Sequence, residues 1–547
     1  MKKTKQSMGK KGLPSEGKLV EEGTAKVFFQ GDVFYNPVQV FNRDLSIHVI
    51  KEFDAMRREE FRSGKRRGKR ANKRGKKTIN DLKILEALSA TGLRSIRYVK
   101  EIPNVGLMVA NDISKEAAEA IHRNAVSNEC DTKILQASHN DAIMLMHQHK
   151  TPSKQFDVVD LDPYGAPTVF LDSGVQAVSE GGLLCVTCTD APVLCGVYPE
   201  TCYAKYNSIP VKSKFCHEMA LRILLHCIST HASRYGKYIE PLISVSTDFY
   251  IRVFVRVFTG KLQVKLNPTK QAYIHQAMGI PSFLIQPVAL NKRPDQPANP
   301  HVVAAKARIP QETDGFYGRN HHIAGPIWSA PIHDPEFVKR LLKNMGGPEC
   351  PKEPITPGAP VGRRWKKMHG VLTAINEESE CFDCPLYYNI PDLANTLRCS
   401  CPSLHDVMSA LLNAGYRVSC THAKQNSVKT DAPNEVMWDI MRAWVNNGHP
   451  VSKKRMTPTS PVTAILAKKK STIKVDFTLH SRFKDKDGKK LKKNSTATRF
   501  LPNPEKFWGP KSRAKKKKKV KDDNDEEDST ESSTKRRKVV SEEKEEG

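Results

Sequence analysis

Phe156-Asp157-Val158-Val159-Asp160-Leu161-Asp162-Pro163-Tyr164-Gly165 decides how the rest of this chain is read. An apolar run ends in Asp-Pro-Tyr-Gly, the pattern of a strand buried in a parallel sheet that runs into a sharp turn. Pro163 fixes one backbone angle, and Gly165 permits a tight reversal. Asp162 and the Tyr164 ring are thereby left at the carboxyl edge of a sheet, where open α/β sheets bind ligands. A carboxylate beside a ring suits a flat base held by its amino edge. The acid accepts from an exocyclic amine, and the ring stacks on the base.

Outward from this strand, strand-like and helix-like segments alternate. Residues 82–88 are apolar and end in Ser89-Ala90-Thr91-Gly92, and residues 93–100 read as a helix. Residues 105–110 form a strand ending at Asn111-Asp112, and Ser114 caps a helix to residue 128. A short strand at 133–136 precedes Asp141, and another strand spans 181–187. A long helix covers 214–233, and two closing strands cover 239–247 and 249–258. The alternation predicts an α/β, Rossmann-like, mostly parallel seven-stranded sheet with an antiparallel edge pair.

Four successive strand ends then present groups suited to a nucleoside. The Gly92 turn follows the first strand. Asp112 follows the second, where an acid can grip both ribose hydroxyls. Asp141-Ala142 follows the third, where a carboxylate can accept from an adenine amine, and Asp162 follows the fourth. Each acid alone could be a helix cap. All four in order point to a nucleoside-binding site. A full Gly-x-Gly-x-x-Gly is missing, which argues against a dinucleotide and its pyrophosphate cradle. S-adenosyl-L-methionine has no phosphate and needs no such cradle; its sulfonium would sit near the Asp162 turn.

The chain has 547 residues, with 88 Lys plus Arg against 59 Asp plus Glu, a formal charge of +29. Such an excess implies a polyanionic partner. Thirteen cysteines scattered through apolar segments fit a reducing compartment better than a disulfide framework. No apolar run approaches the ~18 residues of a membrane span, and no secretory signal opens the chain.

The motifs resemble those of the eukaryotic tRNA guanine-N2 dimethyltransferases that act at guanosine 26, over about residues 20–450. They are Phe34-Tyr35-Asn36-Pro37, Asn42-Arg43-Asp44, Ala87-Leu88-Ser89-Ala90-Thr91-Gly92-Leu93-Arg94, Asn111-Asp112-Ile113-Ser114, Asp160-Leu161-Asp162-Pro163-Tyr164-Gly165, Thr189-Asp190-Ala191-Pro192, Cys216-His217-Glu218 and Lys429-Thr430-Asp431-Ala432-Pro433. The resemblance implies a class I S-adenosylmethionine-dependent methyltransferase fold. It implies that Arg43, Arg94, Asp112, Asp141 and Ala142 contact S-adenosyl-L-methionine. It implies that Asp162, in its turn with Pro163 and Tyr164, is the catalytic acid. Phe34 and Tyr164 would flank the target base, and two methyl groups would be delivered to one nitrogen. Family members often carry a cysteine-rich zinc element before Gly-Pro-Ile-Trp. Residues 282–324 here contain no cysteine, and no metal is expected there.

The expected organisation is a disordered basic N-terminus (1–22), a methyltransferase domain (23–260) with a basic insertion at 57–77, and an irregular linker (261–324). A C-terminal tRNA-binding domain (325–505) and a disordered charged tail (506–547) follow. The insertion carries twelve Lys/Arg and reads either as a solvated loop or as a phosphate contact. Helices followed by a small hairpin suggest a winged-helix-like α+β module, whose wing residues His422, Lys424 and Lys429 are candidates for tRNA backbone contact. Cys381, Cys384, Cys399 and Cys401 read as buried or incidental thiols rather than a zinc site. Cys195 and Cys202 read as structural, and His217-Glu218 as a core or substrate-orienting pair. Basic clusters at 511–521 and 535–538 fit import signals, so a nuclear import receptor is an expected partner and the nucleus the expected compartment, with a mitochondrial pool left open. A monomer is expected. Two alternatives stay open: an RNA chaperone on a decayed methyltransferase fold, and a methyltransferase acting on another exocyclic amine in DNA or protein.

Overall fold

The computed structural model describes residues 18–29, 35–64, 79–347, 349–451, 456–468, 471–485, 489 and 500. A hairpin of β1 (Lys18–Glu22) and β2 (Ala25–Phe29) precedes the long helix α1 (Val40–Arg62). The alternating part follows as β3 (Leu82–Glu86), α2 (Leu93–Glu101), β4 (Val105–Asp112), α3 (Lys115–Ser127), β5 (Leu135–His139), α4 (Ala142–Gln148), β6 (Phe156–Leu161), α5 (Thr168–Ala177) and β7 (Val178–Cys188). Two short helices, α6 (Ala191–Leu194) and α7 (Pro199–Tyr206), lead to α8 (Cys216–Arg234), β8 (Lys237–Thr247) and β9 (Tyr250–Thr259).

The sheet order is β5-β4-β3-β6-β7-β9-β8. Its first five strands are parallel, and β9 and β8 add antiparallel at one edge. The order reverses between β3 and β6, where Glu86 pairs with Asp160. That switch point opens a crevice at the carboxyl ends of the strands. Adjacent residues on one strand serve opposite faces. Ile84 and Val158 join the core under α1 and α2, whereas Leu85 and Val159 join the core under α4, α5 and α8.

After β9 come α9 (Lys261–Leu266), β10 (Gln271–Ala277), β11 (Phe283–Pro287), β12 (Ala289–Asn291), β13 (Val302–Ala304) and β14 (His321–Trp328). β10 is the centre of a three-stranded antiparallel sheet with β11 and β14. The expected irregular linker is therefore wrong at 261–324. The strands are short, and inward Ala272, Ile274 and Gln276 alternate with Tyr273 and His275, so little hydrophobic contrast marks them. Two other boundaries also shift. Strand β1 starts inside the segment expected to be disordered, because Glu22 is buried against two arginines. α1 runs into the expected basic insertion: Arg57 is buried and paired with Asp54 and Asp157 rather than solvated. The rest of that insertion, 65–77, and the tail at 506–547 lie outside the described residues.

The C-terminal part comprises α10 (Pro335–Lys343), α11 (Gly362–Glu378), β15 (Tyr388–Asn389), α12 (Ile390–Leu397), α13 (Leu404–Asn413), β16 (Val418–Cys420), β17 (Ser427–Thr430), α14 (Asn434–Asn446) and α15 (Pro461–Ala467). Strands β15-β17-β16 form a small antiparallel sheet beside α12 and α13, a winged-helix-like arrangement. It packs on both layers: α11 joins the α1/α2 core through Trp365 and Leu372, and α14 joins the α8 core through Trp438 and Ile440.

Buried charge ties the two parts together. Lys429 donates to both Glu218 oxygens at 3.0 and 3.1 Å and lies 3.7 Å from Glu378. Arg222 donates to Glu218 at 2.9 Å, and His422 Nδ1 meets Glu378 at 2.7 Å. His422 Nε2 accepts from the Ser246 backbone amide of β8 at 3.1 Å. Removing one partner from such a cluster leaves an uncompensated buried charge. Lys429→Met is expected to cost about 3 kcal/mol or more, seen as a lowered thermal midpoint. An unchanged midpoint would show that the cluster contributes nothing to stability.

Two histidines, His333 buried and His48 half-buried, set an acid limit. Burial pushes His48 and His333 from 6.5 down to about 4, so both are neutral in the fold. Below pH 6.5 the unfolded chain takes up these protons first, and stability falls as pH drops toward 4. Glu86 acts oppositely: raised from 4.5 to about 7, it keeps its proton longer in the fold, and that contribution grows as pH drops through the same window. His217, His226 and other histidines shift down as well, so the histidines outweigh the carboxyl and stability is expected to fall from pH 6.5 to 4.5. Urea midpoints at these two pH values check the sign.

Candidate active site

The β3–α2 turn forms the floor of the crevice. Gly92 adopts φ +77°, and a side chain there would press on Ile121 at 3.2 Å. Gly92 N donates back to Ser89 O at 2.8 Å, so the turn is tight and leaves room above it. Asp112, at the end of β4, accepts from Ala90 N at 2.8 Å and from Ser114 N at 3.0 Å. These two bonds aim the carboxylate over the turn and leave about two of its four acceptor positions open, as a pair of ribose hydroxyls requires.

Asp141 is the N-cap of α4, accepting from Met144 N at 2.9 Å. The cap reading weighed from sequence is thus realised at this position, through Oδ1. Ala142 is buried as the first residue of that helix. Both stand at the end of β5, three strands along the sheet from β6.

At the end of β6, Pro163 is buried and the Asp162 side chain is 20% exposed. Tyr164 stands out into solvent, 86% exposed. Gly165 takes φ +82° and is clasped to the end of β7: its amide donates to Thr189 Oγ1 at 2.8 Å, and Thr189 N donates to Gly165 O at 3.1 Å. This clasp explains the Thr189-Asp190 motif. Asp190 in turn pairs with Lys205 of α7 at 2.8 Å.

Arg94 of α2 reaches across the switch point. Its guanidinium contacts Asp162, lies 3.3 Å from Asp160 and 3.4 Å from Glu86. Burial, opposed by Arg94 and the Ser95 hydroxyl, pushes the Glu86 carboxyl up to about 7. Arg43 does not face the same group: it forks onto Glu22 of β1 at 2.7 and 2.5 Å and lies over the Tyr35 ring. Burial opposes charge on Glu22, yet Arg43 and Arg97 hold its carboxyl down at about 2. Phe34 lies outside the described residues.

The three wing residues separate. Lys424 is exposed. His422 and Lys429 are buried in the ion cluster and face Glu378 and Glu218, so neither offers a donor to a phosphate. This corrects their assignment as backbone contacts: the buried carboxylates of Glu378 and Glu218 draw both side chains inward. Glu218 is a core residue of the same cluster.

Among the described residues, two groups have metal-ligand spacing, Cys195/Cys216/His217 and His333/Glu378/His422. Positive charge from Lys424 acts on Cys216 and His217 of the first, and the Lys429 ammonium lies 3.7 Å from Glu378 of the second. Cys381 and Cys384 are buried, while the Cys399 and Cys401 thiols donate to the carbonyls of Ala394 and Pro402.

Sequence reasoning missed Glu22, Asp160 and Arg252. The last two had a signal: each is a charged residue within a strand that is mostly buried and apolar.

A mostly parallel seven-stranded sheet with acids at successive strand ends and a phosphate-free turn defines the class I methyltransferase fold. The N2,N2-dimethylguanosine tRNA methyltransferase family model matches residues 15–442, and the chain belongs to that family. A Drosophila melanogaster tRNA (guanine(26)-N(2))-dimethyltransferase is 44% identical over 92% of this chain and 87% of its own. A Saccharomyces cerevisiae relative, named as a mitochondrial tRNA (guanine(26)-N(2))-dimethyltransferase, is 34% identical over 90% of this chain and 92% of its own. Among solved structures, Trm1 from Pyrococcus horikoshii in complex with S-adenosyl-L-methionine aligns with a TM-score of 0.60 and 26% identity, covering 77% of this chain and 99% of that one.

Proposed function

We propose that this protein transfers two methyl groups from S-adenosyl-L-methionine to the exocyclic N2 of guanosine 26 in tRNA. The observation that carries the reading is the Asp162 carboxylate, held at the sheet's switch point with a solvent-facing tyrosine two residues on. Asp112 would hold the cofactor ribose and the Asp141-Ala142 segment its adenine. Arg94 and Arg43, paired here with Asp162 and Glu22, would turn part of their donor set to its charged tail. The cofactor supplies an electrophilic methyl group on a sulfonium.

The guanine amine is a weak nucleophile because its lone pair is delocalised into the ring. Asp162 accepts a hydrogen bond from it, turns electron density toward the methyl and takes the lost proton. Holding the base in one orientation supplies the proximity term. Two transfers require the acid to unload its proton between turnovers. A carboxylate open to water at the crevice can do so, whereas a fully buried one could not. Extracting the base from the tRNA body costs a few kcal/mol, and stacking on Tyr164, with Phe34 proposed for the opposite face, returns ~1–3 kcal/mol. Lys424 is the wing residue left to meet the tRNA backbone.

Mass spectrometry of tRNA nucleosides tests the reading: cells lacking the protein lose N2,N2-dimethylguanosine, and an unchanged level refutes it. The basic clusters at 511–521 and 535–538 support nuclear residence through an import receptor. A fluorescent fusion lacking residues 511–547 is expected to leave the nucleus, and continued nuclear retention would discard the signal. No helix among the described residues is long and apolar enough to cross a membrane.

A further inference from the structure

Asp160 and Asp162 are two residues apart on β6 and its turn, so they share a side of the strand. Only Asp162 reaches the crevice. Asp160 is completely buried, yet it is surrounded by donors. Arg252 of β9, also fully buried, donates to Asp160 Oδ1 at 2.8 Å and to Oδ2 at 3.0 Å. The same guanidinium is fixed by Thr187 Oγ1 at 2.6 Å and Ser46 Oγ at 2.9 Å. Tyr98 OH donates to Asp160 Oδ2 at 2.6 Å. Arg94 then spans both acids, with Nη1 on Asp160 and Ser46 and Nη2 on Asp162. Burial opposes charge on Asp160, but Arg252 and Arg94 hold its carboxyl below the ordinary range. A buried ion cluster is weak evidence of stabilisation, since well-packed apolar groups often do as well. Its geometry is better accounted for by what it holds in place.

We propose that Asp160, gripped by Arg252 and Tyr98, is a positioning residue: it fixes the Arg94 guanidinium, and through it the orientation of Asp162. This rests on the reading of Asp162 as proton acceptor. A cation locked beside the carboxylate stops it turning away between the two transfers. The groups around Asp162 are Arg94 of α2, Glu86 at the end of β3, Asp160 on its own strand and Tyr250 on β9, with Asp112 and Asp162 together acting on the Tyr164 phenol.

The test is methyl transfer to tRNA by the full-length protein, with kcat and KM resolved. Asp160→Asn keeps the volume and loses the charge. Its kcat is expected to fall about tenfold or more, because the Arg94 guanidinium loses its anchor and no longer holds Asp162 in one orientation. The KM for tRNA should stay within about threefold of the parent. Tyr98→Phe removes a single hydrogen bond, threatens folding least, and should lower kcat in the same manner by less. An unaltered kcat in both variants, or a loss carried by KM instead of kcat, overturns the proposal. If Asp160→Asn fails to fold, Tyr98→Phe decides alone. Asp162→Asn in the same assay separates the two readings: its retained turnover would reject the acceptor itself, whereas an inactive Asp162→Asn with an unaltered Tyr98→Phe kcat rejects only the positioning role.

Discussion

Asp162→Ala is expected to lower methyl transfer by about a thousandfold, within the range spanned by positioned general bases. Binding of S-adenosyl-L-methionine should survive. The reason lies in the division of labour along the sheet edge. Asp162 stands at the end of β6, whereas Asp112, aimed by Ala90 N and Ser114 N, belongs to the end of β4. Loss of Asp162 also frees one arm of Arg94, which cannot weaken its hold on an anionic cofactor group. Rapid-quench measurement of labelled methyl transfer, paired with calorimetric titration of cofactor, resolves the two effects. Turnover close to the parent's would remove the proposed acceptor, and a parallel collapse of cofactor binding would move Asp162 into the cofactor site.

The second large effect is expected at Asp112. Replacing it with Ala removes the acceptor for both ribose hydroxyls, each charge-assisted bond contributing about 1.5 kcal/mol or more. The cofactor dissociation constant should rise about a hundredfold, while kcat at saturating cofactor changes much less. Part of that loss would come from the turn itself, since Ala90 N and Ser114 N lose their partner. Asp112→Asn, which keeps an acceptor for one amide, should fall between parent and Ala. Equal affinity across the three proteins would exclude the ribose role.

Much of the sheet could be read from the chain because parallel strands are buried on both faces and announce themselves as apolar runs. Residues 156–161 are the clearest case, and the acids after them follow from where such strands end. The wing misled for a physical reason. His422 and Lys429 have the composition of a surface hairpin, and only the opposing Glu218 and Glu378, 211 and 44 residues away in sequence, turn them inward. The sheet around β10 was hidden because Tyr273 and His275 lie on its outward side and blur the alternation. Arg43 has its geometry from Glu22, in a strand so short that nothing local marks it.

The ion cluster of Glu218, Arg222, Glu378, His422 and Lys429 also bears on engineering. Grafting another C-terminal part onto this sheet would strand Glu218 without Lys429. A workable chimera must carry over Glu378, His422 and Lys429 with the transplanted segment, or neutralise Glu218 in the same step. On the proposed reading of Lys424, substrate choice is therefore not a detachable cassette: retargeting would be written into the exposed side of the hairpin, while its inner side is left untouched.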